Sequence, residues 1–290
     1  HEESCMQEIA PGVFVETGYR NANVGCIITD EGVILVDTPM VPAQAQAWRK
    51  HVAEASHNAR ILYVINTDHH RGHSLGNQFY LPAPVVAHER AWKEMRGYTE
   101  NFKQRVRDSF KKEPDIQVQF NDLQIIRPEI TFKKRLTLLR GGREVRLIWI
   151  GGHTLATAVV WLPTERILFA GDAVWLDQHP YMAQANSRDW LHGLAFIKKL
   201  NPVTIVPGHG PPCGVEAVDR VTEYIRYMRS QVKVMFRQGK SKQETGSFLV
   251  KDLVTWFPIP IGRKAKIESQ IKQGIGRVYE EVRRSANEAA

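Results

Sequence analysis

Histidine and aspartate residues gather in one short segment of the chain, Thr67-Asp68-His69-His70-Arg71-Gly72-His73. Imidazole nitrogen and carboxylate oxygen are the natural ligands of zinc, so a segment of this kind can hold a metal ion. Further residues of these two types stand beside glycine in three later segments, Gly151-Gly152-His153, Gly171-Asp172 and Pro207-Gly208-His209-Gly210. A single histidine in a loop is usually an ordinary polar residue, but four such segments together predict one shared metal site.

Each segment follows an apolar run that is typical of a buried strand. The first follows residues 61–65, and the others follow the predicted strands 144–150, 166–170 and 203–206. Open α/β sheets place their ligand sites at strand ends, and the neighbouring glycines allow the backbone to turn tightly there. We therefore expect the four segments, which are distant in the sequence, to converge at strand ends.

The rest of the chain alternates between strand and helix patterns. Residues 23–29 and 33–36 flank an Asp30-Glu31-Gly32 turn and predict a β-hairpin. The other predicted elements are a helix at 41–57, a loop at 66–77, a charged helix at 89–112, a strand at 132–139 and a helix at 187–200 with Ser187 as its N-cap. From Val215 onward the pattern is helical, with one interruption at 256–260.

The four segments resemble the metallo-β-lactamase superfamily of metallohydrolases. That family carries an H-x-H-x-D-H loop, then Gly-His, Gly-Asp and Pro-Gly-His-Gly in that order, and the order and spacing match over residues 9–214. The resemblance implies an α/β fold, a four-layer αββα sandwich with the metal at one edge of its two sheets. It assigns residues 1–214 to this domain and residues 215–290 to a C-terminal helical extension that packs on the domain or on a dimer partner.

The chain departs from the family loop at two positions, because Asp68 stands in place of the first histidine and Gly72 in place of the aspartate. The resemblance implies these metal ligands: Asp68, His70 and His153 for one ion, His73 and His209 for a second, and Asp172 as a bridge between them. The second site lacks the family's aspartate, so we expect one or two Zn²⁺ ions. A register in which His69 is a ligand stays open, although alternation along an extended strand end pairs Asp68 with His70.

The expected chemistry is hydrolysis, because zinc lowers the pKa of a bound water to about 7 and so makes hydroxide available at neutral pH. In many family members the loop aspartate orients that water. Since Gly72 has no side chain, the hypothesis is that Asp68 or Asp172 takes this catalytic role. Asp37, which follows the strand 33–36, is predicted to accept the second N–H of a metal-bound histidine, or else to cap the following helix.

Three further side chains are candidates for a substrate pocket. His88 starts a predicted helix near the metal loop, so pocket lining and helix capping are alternatives for it. Trp175 and His179 lie in an aromatic segment after Asp172, which suits a pocket wall or the core.

The sequence predicts a zinc-dependent hydrolase of a small organic substrate: a lactam, lactone, ester or thioester, or an activated aryl halide that is dehalogenated hydrolytically. The net charge of +8, from 39 basic and 31 acidic residues, motivates an alternative, a nucleic-acid-processing nuclease of the same superfamily. A nucleic-acid partner is not expected, because 290 residues leave no room for a full inserted domain and the basic runs do not interleave aromatics. A third alternative is a thioesterase similar to hydroxyacylglutathione hydrolases, but that group normally keeps the full loop motif, so Asp68 and Gly72 count against it. A fourth is a non-enzymatic remnant that no longer binds metal, and the presence of His153, Asp172 and His209 counts against that.

Composition places the chain among ordinary globular proteins, with 43% hydrophobic and 24% charged residues. No apolar stretch approaches the roughly 18 residues that a membrane span needs. Three cysteines give no disulfide framework. We expect a soluble homodimer, either cytoplasmic or, if an N-terminal signal was removed, periplasmic or secreted.

Overall fold

The computed structural model describes residues 6–288. They divide into two compact units, which are described separately. The N-terminal unit holds the chain up to Trp149 together with Ala156–Gly171, and the C-terminal unit holds Ile150–Leu155 together with the residues from Asp172 onward. The predicted division into residues 1–214 and 215–290 follows the family resemblance rather than compactness and stays a prediction.

The strands are β1 (Gln7–Ala10), β2 (Val13–Glu16), β3 (Val24–Thr29), β4 (Gly32–Val36), β5 (Ile61–Ile65), β6 (Val85–His88), β7 (Ile130–Phe132), β8 (Arg135–Arg140), β9 (Arg143–Trp149), β10 (Ala158–Leu162), β11 (Ile167–Trp175) and β12 (Thr204–His209). The helices are α1 (Pro42–Ala55), α2 (Arg71–Ser74), α3 (Glu89–Met95), α4 (Glu100–Asp108), α5 (Pro114–Gln117), α6 (Ser187–Leu200), α7 (Glu216–Arg237), α8 (Lys242–Leu253) and α9 (Lys264–Glu288). Two 3₁₀ helices, Leu75–Tyr80 and Val118–Phe120, complete the elements of residues 6–288.

The first sheet has the strand order β1 to β7. Its first four strands are antiparallel, and β4, β5, β6 and β7 run parallel. Parallel strands end at the same edge of a sheet, so the residues that follow β4 and β5 and those that end β6 lie at one edge. Asp37, Asn66 and His88 occupy these three positions.

The second sheet has the order β12-β11-β10-β9-β8. The sequence prediction placed Asp172 after a strand and His209 in a loop, but both lie within strands, β11 and β12. Gly171 does not end β11, because its φ of +50° is tolerated by glycine without breaking the strand. Pro207 does not end β12, because a proline in an edge strand removes no ladder hydrogen bond.

The two sheets pack face to face inside the N-terminal unit. A Cβ at Gly25 of β3 would stand 2.2 Å from Cε1 of Phe169 in β11, so only glycine allows this approach. Helix α1 covers the other face of the first sheet, with Trp48 and Val52 buried against apolar side chains of β3, β4 and β5. This burial follows from the apolar residues at helical spacing that predicted the helix.

Several element boundaries differ from the sequence prediction. The predicted loop 66–77 contains α2 and the start of a 3₁₀ helix, the predicted helix 89–112 breaks into α3 and α4 around Gly97, and the predicted strand 132–139 divides into β7 and β8. The N-cap of α6 is Asn186, whose side chain accepts bonds from two backbone N–H groups, and not Ser187. Ser187 is the first helical residue, and its hydroxyl bonds to Glu281 of α9 instead.

The C-terminal unit is built mainly of helices, and α6, α7, α8 and α9 pack in pairs around buried aliphatic and aromatic side chains. Tyr224 and Ile225 of α7 and Ile275 and Val278 of α9 are among the fully buried residues. No helix within residues 6–288 combines the length and the apolar character that crossing a membrane requires.

Candidate metal centre

The carboxylate of Asp68 organises the histidine-rich segment of the N-terminal unit. Its Oδ1 accepts the backbone N–H groups of His69 at 2.7 Å and of His70 at 3.2 Å. Its Oδ2 accepts the hydroxyl of Thr157, which directly precedes β10, at 2.8 Å. Asp68 is 1% exposed, so these donors replace water around a buried charge.

This arrangement departs from the alternation that was expected after β5. The segment does not continue as an extended strand, because a carboxylate that bonds to the next two backbone N–H groups closes a local turn. As a result both histidines lie beside Asp68: the distance from Asp68 Oδ1 to Nδ1 is 3.0 Å for His69 and 3.8 Å for His70. Asp68, His69 and His70 each offer a ligand atom within 4.8 Å of the others.

The carboxylate of Asp37 holds the third histidine of the segment. Asp37 Oδ2 lies 2.9 Å from Nδ1 of His73, and the same carboxylate accepts the N–H of Thr67 at 2.8 Å and its hydroxyl at 2.6 Å. Asp37 does not cap α1, whose N-cap is Val41 without a side-chain bond. Because Nδ1 faces Asp37, the other ring nitrogen of His73, Nε2, is the one that could serve as a metal ligand.

A second layer of polar side chains, which sequence reasoning missed, fixes the backbone of this segment. The carbonyl of His73 accepts bonds from the Asn66 amide at 2.8 Å and from the Thr38 hydroxyl at 3.0 Å. Asn66 also pairs with the amide of Asn77, which donates to it at 2.8 Å. The only signal in the sequence is that these residues flank the histidines, and asparagine and threonine are too common in loops for that signal to single them out.

The position of the missing family aspartate is closely packed. A Cβ at Gly72 would stand 3.2 Å from Cβ of Asn21, which belongs to the loop between β2 and β3. Gly171 is confined in the same way, because its Cβ would stand 2.4 Å from the hydroxyl of Thr67. Gly171 is confined both by this neighbour and by its backbone, whose φ is +50°, whereas Gly72 lies within α2 and is confined by its neighbour alone.

In the C-terminal unit, two histidines converge on one carboxylate. Nε2 of His153 lies 3.3 Å from Asp172 Oδ2, and Nε2 of His209 lies 3.2 Å from Asp172 Oδ1. The His153 and Asp172 side chains are almost fully buried, and the His209 side chain is 19% exposed. The structure thus brings these three predicted ligands together, with His209 at the solvent side.

Aromatic rings enclose this cluster. The indole of Trp175 stacks on His209 with ring centroids 4.1 Å apart, and its N–H donates to the carbonyl of Asp172 at 2.9 Å. Trp190 of α6 meets His153 edge-on at 5.4 Å. A Cβ at Gly152 would stand 2.6 Å from Cα of Trp190, and the φ of Gly152 is +102°, so glycine is needed to bring His153 against α6.

The other two pocket candidates have structural contacts. His88 is the N-cap of α3: its Nδ1 accepts the N–H of Arg90 at 3.3 Å, and its Nε2 lies 2.8 Å from the carbonyl of Lys133. His179 packs edge-on against Tyr224 at 5.9 Å and Phe257 at 5.2 Å, among the C-terminal helices. Capping and core packing are therefore the interpretations that the contacts favour for these residues, and Trp175 is the pocket candidate that lies beside the predicted ligands.

Desolvation changes the acid–base behaviour of the groups around the histidine-rich segment. Burial, with a smaller contribution from the Asp68 charge, raises the pKa of Tyr98, whose hydroxyl donates to the carbonyl of His69 at 2.8 Å. Burial also lowers the pKa of Arg71, whose guanidinium donates to Ser109. Neutral Tyr98 is thus a stable hydrogen-bond donor that holds the backbone of His69.

The donor chemistry of both clusters suits a divalent metal ion. Imidazole nitrogens and carboxylate oxygens converge in each cluster, and these are zinc ligands. Asp37 and Thr157 supply the outer hydrogen bonds that metal-binding side chains normally require. The residues present therefore fit a divalent metal ion.

Comparison with known proteins agrees with these features. A family model described as the metallo-beta-lactamase superfamily matches residues 17–209, which include every predicted ligand. The metallo-beta-lactamase type 2 of Bacteroides fragilis is 26% identical over 223 residues, which cover 74% of this chain and 80% of that protein. A beta-lactamase-like protein 2 homolog of Caenorhabditis elegans is 33% identical over 120 residues, which cover 39% of this chain and 37% of that protein.

Solved structures share the fold at low sequence identity. A metallo-beta-lactamase family protein from Thermus thermophilus has a TM-score of 0.69 at 18% identity, and the match covers 96% of this chain and 95% of that protein. The sec-alkylsulfatase Pisa1 from Pseudomonas sp. has a TM-score of 0.76 at 13% identity, and the match covers 96% of this chain and 50% of that protein. These matches confirm the predicted α/β fold with C-terminal helices.

Proposed function

The chain belongs to the metallo-β-lactamase superfamily and is a metallohydrolase, and from this premise we propose that it is a zinc-dependent hydrolase of a small organic substrate. The observation that carries the proposal is the placement of His153 and His209 on the two oxygens of one buried carboxylate, Asp172. Two imidazoles so placed are typical of side chains that share a metal ion.

The proposed ligands are the residues that the resemblance to the family implies. In the proposal Asp68, His70 and His153 would hold one ion, His73 and His209 would contribute to a second, and Asp172 would contribute to both. His69 is an alternative to His70, since both of these histidines lie beside Asp68. Zinc, when bound, makes hydroxide available at neutral pH by lowering the pKa of water.

The side chains around the proposed site hold the ligands in place. Asp37 fixes the ring of His73 through Nδ1, and Thr157 and two backbone N–H groups fix the carboxylate of Asp68. Asp68 or Asp172 is proposed to hold the proton of the attacking water. Trp175 is proposed to line the substrate pocket, because its indole lies against His209, a proposed ligand whose side chain is 19% exposed.

The proposal covers substrates with an electrophilic carbon: a lactam, lactone, ester or thioester, or an activated aryl halide that undergoes hydrolytic dehalogenation. Metallo-beta-lactamase type 2 of B. fragilis, at 26% identity, supports a lactam as one member of this panel. The aromatic face of Trp175 suits a substrate with an apolar or planar part.

Metal analysis and a substrate panel test the proposal together. We expect the purified chain to carry one or two zinc ions, to hydrolyse at least one member of the panel, and to lose that activity on chelation and regain it with zinc. Asp68→Ala and Asp172→Ala should each lower both metal content and turnover. If both variants keep full activity with bound metal, the assigned roles are wrong. RNA and a phosphodiester complete the panel, and if the chain cleaves only these two, it is a nuclease of the same superfamily.

We also infer a homodimer that forms through the C-terminal helices. Phe248 of α8 is 62% exposed, and Ile261 between α8 and α9 is fully exposed, so this surface offers apolar side chains to a second copy. Light scattering should give a dimer mass, and Trp256→Asp, a change in the segment before Ile261, should give a monomer. A monomer at all concentrations would contradict this inference without affecting the hydrolase proposal.

A further inference from the structure

Strand β8 (Arg135–Arg140) has no neighbouring strand on one side of its backbone among the residues that the structure describes. Within these residues it is the last strand of the second sheet and pairs only with β9, in an antiparallel ladder in which Arg140 faces Arg143 across the Gly141-Gly142 turn. In a hairpin with a two-residue turn, the residues that flank the turn form a hydrogen-bonded pair, and such pairs alternate along the ladder. The bond from the Trp149 N–H to the Lys134 carbonyl, 2.9 Å long, fits this alternation.

The alternation fixes which backbone groups of β8 point away from β9. Leu136 and Leu138 bond to β9, whereas the N–H and C=O groups of Arg135, Thr137 and Leu139 point outward. All three of these residues are exposed, and Leu139 is 65% exposed. One outward group, the Leu139 carbonyl, accepts the guanidinium of Arg140 at 2.9 Å.

The other sheet edges within residues 6–288 carry features that block strand addition. β1 has four residues and a register shift between Glu8 and Ala10, and β7 has three residues. β12 contains Pro207, and its Ile205 exchanges two hydrogen bonds of 2.8 Å with Cys213. β8, by contrast, has six residues in continuous register with neither proline nor bulge, which leaves its edge open to another strand.

The charges around β8 select the kind of strand that could pair with it. Lys133 and Lys134 precede the strand, Arg135 begins it and Arg140 ends it, while its middle, Leu-Thr-Leu-Leu, is uncharged. The single acid of the β8–β9 hairpin, Glu144, already pairs with Arg146 at 2.7 Å. A second copy of β8 would bring two basic strands together, whereas a strand with acidic ends and an uncharged middle would match in charge along its length.

We propose that the outer edge of β8 binds an extended, acidic segment of a partner protein by strand addition, with the outward backbone groups of Arg135, Thr137 and Leu139 forming the new ladder. This mode of recognition takes affinity from main-chain hydrogen bonds and specificity from alternate side chains. A nucleic acid could neutralise the same basic residues, but it could not pair with the alternating N–H and C=O groups. None of the β8 residues is among those proposed for hydrolysis, and the inference does not depend on that function.

The test uses two synthetic peptides, the acidic EEVTVTVEE and its basic counterpart KKVTVTVKK, titrated into the full chain. The acidic peptide should bind, with an affinity that falls as salt rises, and the basic peptide should not. Amide hydrogen exchange should show new protection at the N–H groups of Arg135, Thr137 and Leu139, and no change at Leu136 and Leu138. Absence of binding by the acidic peptide would overturn the proposal.

Proline variants separate strand addition from simple charge attraction. Thr137→Pro removes one outward N–H and leaves the ladder to β9 intact, so the chain should fold and bind the acidic peptide about tenfold more weakly or worse. Thr137→Val, the matched control, should bind like the unchanged chain, and Leu139→Pro provides a second test should Thr137→Pro fail to fold. Three outcomes would each contradict the proposal. In the first, the proline variants bind the acidic peptide as tightly as the unchanged chain does, and in the second, the chain binds single-stranded poly(U) more tightly than the peptide. The third is a concentration-dependent dimer of the chain that Thr137→Pro abolishes.

Discussion

The hydroxyl of Thr157 donates a hydrogen bond of 2.8 Å to Oδ2 of Asp68, and both residues are buried. The bond joins the segment after β5 to the start of β10, 89 residues later in the chain. Asp68 stands where the family has a histidine, so Thr157 is a partner that the altered loop needs. An isolated buried carboxylate is costly, and a charged hydrogen bond offsets part of that cost.

Replacing Thr157 by valine should therefore destabilise the fold by about 1–3 kcal/mol, because a buried carboxylate oxygen loses its donor while the side-chain volume is kept. Urea unfolding of the metal-free chain measures the change without any contribution from bound metal. Thr157→Ser, which keeps the hydroxyl, should cost clearly less. Equal stability of the valine variant and the unchanged chain would show that Oδ2 of Asp68 does not depend on this donor.

Asp37 should control how tightly a metal is held although it is not a proposed ligand. Its φ of +58° suits asparagine as well as aspartate, so Asp37→Asn should fold. The carboxylate of Asp37 has two acceptor oxygens, which face the N–H and hydroxyl of Thr67 and Nδ1 of His73. The amide of asparagine has only one acceptor oxygen. Loss of such an outer partner typically weakens metal binding by about 10–100-fold.

Competition with a chromophoric chelator measures this affinity, and Asp30→Asn, the same chemical change at an exposed turn, is the control. The control should bind metal like the unchanged chain. Unchanged affinity of Asp37→Asn would mean that His73 does not take part in metal binding.

The features that sequence reasoning predicted are those that depend on local pattern. The apolar runs before the histidine and aspartate segments predicted β5, β9 and β12, and the Asp-Glu-Gly turn predicted the β3–β4 hairpin. Both predictions succeeded because strand burial and turn formation depend on residues that are adjacent in the sequence. The four segments follow one another along the chain in the same order as in the family, and this resemblance assigned them to one metal site. Asp37 was selected because it follows a strand and matches a position of the family.

The features that were missed depend on contacts between distant residues or on side chains that act on the backbone. Nothing near Thr157 marks it as the partner of Asp68, because their contact exists only in the folded chain. The prediction that alternate residues after β5 lie on one side assumed an extended backbone. Asp68 instead accepts bonds from the next two backbone N–H groups and so bends a segment whose composition also suits an extended strand. Gly171 suggested a strand end, whereas it is a point of close approach inside β11.

Restoring the family's aspartate should require a change in a second loop. At Gly72 a new Cβ would meet Cβ of Asn21 at 3.2 Å, so Gly72→Asp alone should be destabilised by about 1–3 kcal/mol through overpacking. Asn21 has a φ of +76°, which glycine adopts readily, so Asn21→Gly both removes the obstructing carbon and keeps the turn. The double variant should recover stability and bind more zinc per chain than the unchanged protein.

Thermal unfolding and zinc analysis of the single and double variants check this prediction, with Gly72→Ala as the control. Alanine adds the same Cβ without a carboxylate, so it should be destabilised but gain no zinc. If the double variant binds no more zinc than the Gly72→Ala control, position 72 does not face a metal site in this protein.

His179 should make the stability of the C-terminal unit depend on pH. Burial lowers the pKa of its imidazole, an effect that the backbone of Val254 and Phe257 opposes in part. The unfolded chain then binds the proton more readily than the folded one, so the stability due to neutral His179 is complete above about pH 6.5 and is lost as the pH falls through the lowered folded pKa.

His179→Phe, which can keep the edge-on packing with Tyr224 and Phe257, should flatten the fall in Tm between about pH 7 and pH 5. Tyr224→Phe, a change in the same cluster that removes no group titrating in this range, should keep the fall, and an equal fall in all three proteins would show that other groups cause it.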